Sequence, residues 1–420
     1  MIRCPVELLK KIFNLMLLAS LFLVINLEAG QWQIPDSITT MPGGSKLPYR
    51  EKDGVKEFHL IAEPVKKEMG PGFFVDAWGY NGSTPGPVIE ATEGDTVRIF
   101  VTNKLPEPTT IHWHGIKVPS GMDGVTGLSQ KPIMPGETYK YEFTLDQWGT
   151  YMYHPHYDEM TQIALGMAGF FVIHPKSFRG SQPDRDFLIM LGEWAIPPGS
   201  SKPIPSEMVN FNYFTFNSTV WPTTPSLSIK TGEKVRIRFG NLSMNSHPIH
   251  VHGTVFRETS NGVERFNFDA QFEDVTVNVP VGSVREIEFT MDQAGDWAIH
   301  CHKSHHIMNG MGHQTYSLID LKLDSAEMDK ARKLIPGFML MGSKGMGEMF
   351  SHEMHSMPRP KNFMHYGTPG PFGTIEMSGM FTVMKVRDNP EDDKGGWYQN
   401  PPGTVASPAS KEEIEGLLEE

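Results

Sequence analysis

Two stretches of this chain repeat one another, and the repeat restricts the fold more than any other feature. Gly94-Asp95-Thr96-Val97-Arg98 returns as Gly232-Glu233-Lys234-Val235-Arg236, 138 positions later, and Asn103 returns as Asn241. His112 and His114 return as His250 and His252 at the same offset of 138. After a loop difference of eight the offset becomes 146: Gly136 returns as Gly282, Gly149 as Gly295, and His154 and His156 as His300 and His302. A chain that repeats its elements in this order contains one unit twice. Within the unit, short apolar runs (residues 73–78, 97–101, 139–145 and 170–173) are broken by Gly, Pro and Asn, with almost no helical periodicity. That is the pattern of a β-sandwich. Residues 175–184 read as a linker, and the second series runs from residue 186 to about residue 323.

The differences between the copies carry the chemistry. Side chains alternate across a strand, so His300 and His302 share one face and Cys301 points to the other. The first copy has Pro155, Met160, Leu165 and Thr109 where the second has Cys301, His306, Met311 and His247. Two imidazoles, one thiolate and a weak axial thioether are the donors of a blue copper site, and only the second copy has them. The histidine pairs occur in both copies, four imidazoles from each.

His112-Trp113-His114-Gly115, His154-Pro155-His156, His247-Pro248-Ile249-His250-Val251-His252-Gly253 and the run from His300 to Met311 occur in that order. In this they resemble the multicopper oxidases, the family of laccases and cuprous oxidases. The resemblance covers roughly residues 50–323. It implies an all-β chain of two tandem cupredoxin-like Greek-key sandwiches, residues 31–178 and 183–325; outside them, residues 1–30 read as a signal peptide and 326–420 as a Met-rich extension and acidic tail. It implies four coppers per chain. Type 1 copper would take His247, Cys301, His306 and Met311, and type 2 copper His112 and His250. One type 3 copper would take His114, His154 and His302, and the other His156, His252 and His300. The implied reaction is one-electron oxidation of Cu(I) or a phenol at the type 1 site, coupled to four-electron reduction of O2 to water. Asp123, in Met122-Asp123-Gly124, matches the family's acidic residue that orients water and relays protons; read locally, it is a turn Asp before Gly.

From His156 to His247 is 91 residues, too few for the additional domain of three-domain laccases. The resemblance is therefore to the two-domain subfamily, which implies a homotrimer with its histidine clusters between chains. Two departures are Val118, where small laccases carry Tyr, and Ile307, where some cuprous oxidases carry an acid. His305 and His313 read as exposed loop residues. A copper nitrite reductase also has two cupredoxin units, but Pro155 and Cys301 put the thiolate in the wrong copy for it.

A formal net charge of −12 argues against nucleic acid and anionic membrane surfaces as partners. Arg3, Lys10 and Lys11 precede an apolar run at 12–27, with Ala29 or Gly30 for cleavage. This reads as an export signal, so a periplasmic or secreted protein is expected, with no later membrane span. Cys4 lies ahead of that run; after cleavage Cys301 is the single cysteine. Past residue 323, Met is dense and His352, His355 and His365 lie among the methionines. Thioethers select Cu(I), but Met is also an adaptable apolar filler, and both readings of this stretch stand. They leave a non-enzymatic alternative, a copper-sequestering protein of copper tolerance. Residues 373–386 read as a possible strand, and 389–420 as partly disordered.

Overall fold

The computed structural model describes residues 31–177, 182–197, 199–309, 317–319, 325–334, 339–341, 368–390 and 395–418. The expected signal peptide, Met311, His313 and most of the Met-rich stretch lie outside these residues. No helix among the described residues is long and apolar enough to cross a membrane.

Strands dominate, as the alternating sequence predicts. In strand Thr96–Asn103 every second residue is buried, so one side of the strand supplies core and the other is wetter. The first sandwich pairs a sheet of Tyr49–Lys52, Val55–Gly70, Thr96–Asn103 and Thr138–Thr144 with one of Ile89–Thr92, Gly169–His174, Gly149–His154 and His112–His114. Phe73–Tyr80 extends the first of these through Val55–Gly70. Between them lie Phe58, Leu60, Ile99, Trp113, Tyr153 and Phe171, all fully buried. Each such side chain contributes about 1.5–3 kcal/mol over its exposed state.

The duplication is visible in the strand pairing. Thr96–Asn103 runs parallel to Val55–Gly70 and antiparallel to Thr138–Thr144. Lys234–Asn241, its repeat, runs parallel to Arg185–Trp194 and antiparallel to Ser283–Thr290. His112 lies opposite His154 in the first copy, and His250 opposite His300 in the second.

Two segments cross the expected boundaries. Thr39–Thr40 pairs with Arg185–Trp194 and so joins a sheet of the second sandwich. Phe381–Arg387 inserts between Leu227–Lys230 and Gly295–Cys301, the strand that carries the thiol. The second sandwich therefore does not end near residue 325. This strand pairs along the backbone edge of Gly295–Cys301, and the chain supplies it from beyond the Met-rich stretch. The tail expected to be disordered is also partly packed: Trp397 lies against the Trp221, Phe381 and Val383 cluster, and Tyr398 N donates to Asp296 Oδ2 at 2.8 Å.

The sandwiches share a core. Met152, Phe170 and Val172 of the first pack with Leu188, Met190 and Val284 of the second. A second shared cluster joins Phe73 and Val75 to Trp194 and Tyr213. Beside the first of these clusters lies a buried ionic latch. Arg238 reaches Asp186 with two bonds, 2.8 and 2.7 Å, and donates to Thr150 Oγ1, which in turn donates to Glu286 Oε1 at 2.6 Å. Thr150 belongs to the strand that ends at His154, so the latch ties a histidine-bearing strand to the neighbouring sandwich.

Candidate metal centres

Cys301 closes strand Gly295–Cys301, His247 opens strand His247–Val251 beside it, and His306 sits on the 3-10 turn Ser304–Ile307 that follows. All three are fully buried. Their donor atoms converge: Cys301 Sγ is 3.9 Å from His247 Nδ1 and 3.5 Å from His306 Nδ1, and the two Nδ1 atoms are 3.1 Å apart. Each imidazole is aimed by its surroundings. His247 Nε2 lies 2.8 Å from Ser243 Oγ and 3.6 Å from the buried Glu193 carboxylate. The His306 ring stacks on Phe214 at 3.8 Å and 12°. Outer contacts of this kind fix ring orientation at metal sites.

Burial pushes the Cys301 thiol up to about 12 and the His247 imidazole down to about 3. The imidazole is therefore neutral, while the thiol loses its proton only when a strong local cation binds the sulfur. Three soft donors in a dry pocket fit a trigonal His2Cys copper site. His305 is half-buried rather than exposed, with its ring edge-on to Phe214 and His306.

Each sandwich also presents a tetrad of imidazoles. In the first, the rings of His112, His114, His154 and His156 lie 5.3–6.4 Å apart, and His114 Nδ1 meets His154 Nε2 at 3.3 Å. In the second, the rings of His250, His252, His300 and His302 lie 4.7–5.7 Å apart, and His252 Nε2 meets His300 Nε2 at 3.1 Å. Backbone carbonyls hold the other nitrogens in the same way in both copies. His112 Nδ1 donates to Asp123 O at 2.8 Å, as His250 Nδ1 does to Val275 O at 2.6 Å. His154 Nδ1 donates to Pro155 O, and His300 Nδ1 to Cys301 O, both at 2.9 Å. Such bonds set the tautomer and leave the opposite nitrogen as ligand.

Burial holds the imidazoles of His114, His252 and His300 below their ordinary range, with neighbouring imidazoles adding to the effect; His154 falls to about 3. Rings crowded this closely, with nitrogens in contact, fit a shared metal cluster. Each tetrad is half of the expected set of eight. Among the described residues no ring contact or hydrogen bond joins one tetrad to the other. Within the chain, the first borders a cleft of about 730 Å³ that Glu193 and Met244 of the second sandwich also line, and His114 Nε2 lies 2.9 Å from the Gly282 carbonyl oxygen.

Asp123 follows the 3-10 turn Ser120–Met122, with its carboxylate 3.3 Å from His112 Nδ1. Gly124 (φ +83) keeps it there: a Cβ at that position would strike the Ile111 carbonyl at 1.6 Å, so only Gly lets this loop lie against the His112 strand. Sequence reasoning passed over Ser243, Glu193 and Phe214 around the thiol site, and Glu159, which lies 3.5 Å from His156 Nε2. None carries a motif, and each is brought in by folding.

Residues 66–177 and 198–319 each match a family model described as multicopper oxidase, together more than half of the chain. The chain belongs to the multicopper oxidases. It is 45% identical over 114 residues to copper resistance protein A of Escherichia coli, covering 27% of this chain and 18% of that protein. It is 32% identical over 208 residues to laccase-1 of Cryptococcus neoformans var. grubii, covering 43% and 33%. The chain thus spans a third or less of the length of these curated relatives. Among solved structures, the multicopper oxidase mgLAC superposes with a TM-score of 0.57 at 25% identity, covering 80% of this chain and 88% of that one. Family membership makes copper the metal that these donor sets fit.

Proposed function

We propose that this chain is an exported oxidase that couples one-electron oxidation of Cu(I) or a phenolic reductant to the reduction of O2 to water. The carrying observation is the pair of half-complete imidazole tetrads, one joined directly in sequence to a buried His2Cys site. When bound, four coppers per chain would supply one-electron exchange at the thiolate and four-electron chemistry at the imidazoles: O2 takes up four electrons and four protons to give two waters. His247, Cys301 and His306 would hold type 1 copper, and His112 and His250 type 2 copper. For the type 3 pair, His114 and His154 converge and would be completed by His302, while His252 and His300 converge and would be completed by His156.

The remaining roles belong to the protein itself. Cys301 is bonded in sequence to His300 and His302, so the electron-accepting and O2-reducing ligand sets are separated by a few covalent bonds. Ser243, Glu193 and Phe214 hold the type 1 imidazoles in place. Asp123, half-exposed and against His112, is placed to pass protons from solvent to the cluster. Because each tetrad is only half of the set, completion by a second copy is favoured, which is the reasoning for a homotrimer. Copper resistance protein A among the relatives favours a role in copper tolerance, and laccase-1 favours phenols.

The test is oxygen uptake by the copper-loaded protein with Cu(I) and a dimethoxyphenol offered in parallel. Uptake with either reductant, without peroxide release, supports the oxidase. Four coppers bound per chain and no uptake with either would refute it in favour of copper sequestration.

A further inference from the structure

The turn that follows Cys301 is closed by a distant segment. Residues 378–380 lead into strand Phe381–Arg387 and bind the ligand turn along its backbone. Met380 N donates to the His306 carbonyl at 3.0 Å, Cys301 N to the Met380 carbonyl at 3.1 Å, and Ser378 N to the Ile307 carbonyl at 2.8 Å. The buried Asn309 side chain donates to Ser378 Oγ at 2.7 Å, and Ser378 Oγ donates to the Trp221 carbonyl at 2.6 Å. Gly379 (φ +55) makes the approach possible, since a Cβ there would lie 2.3 Å from the His306 carbonyl oxygen. One residue, Met380, is thus bonded through its backbone to two of the three type 1 donors.

Its side chain is on the donors' side of the sheet. Phe381–Arg387 pairs antiparallel with Gly295–Cys301, from Gly295 opposite Val386 to His300 opposite Phe381. One more step of this register sets Met380 opposite Cys301. Opposed residues of an antiparallel pair share a face, with Cβ atoms roughly 4.5–5.5 Å apart. The packing alternates accordingly. Met380, Met384 and Val386 join Cys301 in the interior cluster, whereas Phe381 and Val383 lie on the other face with Trp221. Met380 is fully buried.

We propose that Met380, and not Met311, is the axial thioether of the type 1 site; the assignment rests on that site holding copper as proposed above. Of the five Gly-Met pairs in the sequence, Gly310-Met311 and Gly379-Met380 bracket the stretch between the ligand turn and strand Phe381–Arg387. Met311 follows Cys301 by ten residues, and without residues 310–378 Met380 would follow it at the same spacing. Residues 310–378 are then an insertion between the equatorial ligands and the axial one. A thioether at that position tunes the potential of the site; a thioether that merely fills the core does not.

Full-length, copper-loaded Met380→Leu, Met380→Gln and Met311→Leu proteins separate these readings. The readouts are copper per chain, the thiolate-to-copper absorption band, the EPR spectrum and the reduction potential. Leu conserves volume, so the fold is retained. The assignment predicts that Met380→Leu keeps its copper but shifts band and EPR spectrum and raises the potential, that Met380→Gln lowers it, and that Met311→Leu matches the unmodified protein. A shift in Met311→Leu, or no shift in either Met380 variant, overturns it. An unmodified protein that binds copper without a thiolate band overturns the type 1 reading itself, a different result from any of these.

Discussion

Replacing Arg238 with Met tests how the two sandwiches are held together. Arg238 is buried and gives two charged hydrogen bonds to Asp186, with Thr150 and Glu286 on its other side. Removing one partner of a buried ion pair costs about 3–5 kcal/mol, because the remaining charge is stranded. Arg236 stays 3.5 Å from Asp186 and softens that loss, which places the expected cost near 3 kcal/mol, or roughly a hundredfold in the folding equilibrium. The pH dependence follows from Asp186. Burial alone would raise its carboxyl, and the guanidiniums of Arg238 and Arg236 more than offset this and hold it below its ordinary value. A carboxylate with a lowered folded pKa contributes stability above its unfolded value, and that contribution is lost as pH falls through the folded pKa. Without Arg238 the burial effect dominates and the stranded carboxyl takes up a proton more readily. The deficit of the variant should therefore be greatest near neutral pH and shrink toward pH ~4, the unfolded carboxylate value. Urea denaturation of the metal-free proteins, followed by Trp fluorescence at both pH values, measures it. Arg238→Met with Asp186→Leu should recover most of the loss. A cost below about 1 kcal/mol for the single change, or a double variant weaker than the single, would refute the latch as described.

Ser243→Ala should weaken type 1 copper retention by about 10–100-fold, the usual effect of losing an outer-sphere bond to a ligating His, while leaving trinuclear copper in place; copper titration followed by the thiolate band checks this. Asp123→Asn should keep all copper but slow oxygen uptake by about 10²–10⁴-fold if its carboxylate carries protons; loss of copper instead would mean that it only positions His112. Deleting residues 342–367 should remove a preference for Cu(I) over phenol if that stretch handles the substrate, and change neither rate if it is packing. That deletion is more informative than truncation after residue 323, which would also remove the Phe381–Arg387 strand.

The motifs with short internal spacing were legible in the sequence. The repeat announces two sandwiches, because Gly turns and strand alternation recur at one offset. His300, Cys301 and His302 declare their opposed faces because alternation is a local property. What stayed hidden depends on distant pairing. Phe381–Arg387 is a good strand by itself, but nothing local says that it docks beside a cysteine 80 residues earlier. The choice between Met311 and Met380 turns on that docking, since both follow Gly. Arg238 lies in a strand whose charges look solvent-facing, and only the packing of one sandwich on the other buries it. Ser243 and Glu193 converge on His247 from a loop and a separate strand, a juxtaposition with no signature in one dimension.

The central claim is that neighbouring copies complete one another's imidazole cluster, and mixing two inactive variants tests it directly. His154→Ala disables only the first tetrad and His300→Ala only the second. Each variant alone should take up no oxygen. Unfolded, mixed in equal amounts and refolded with copper, they should recover about a quarter of the unmodified rate, since one junction in four then joins two intact halves by random assembly. If the mixture forms the same oligomer as the unmodified protein and remains inactive, the cluster is not shared between chains and the account fails.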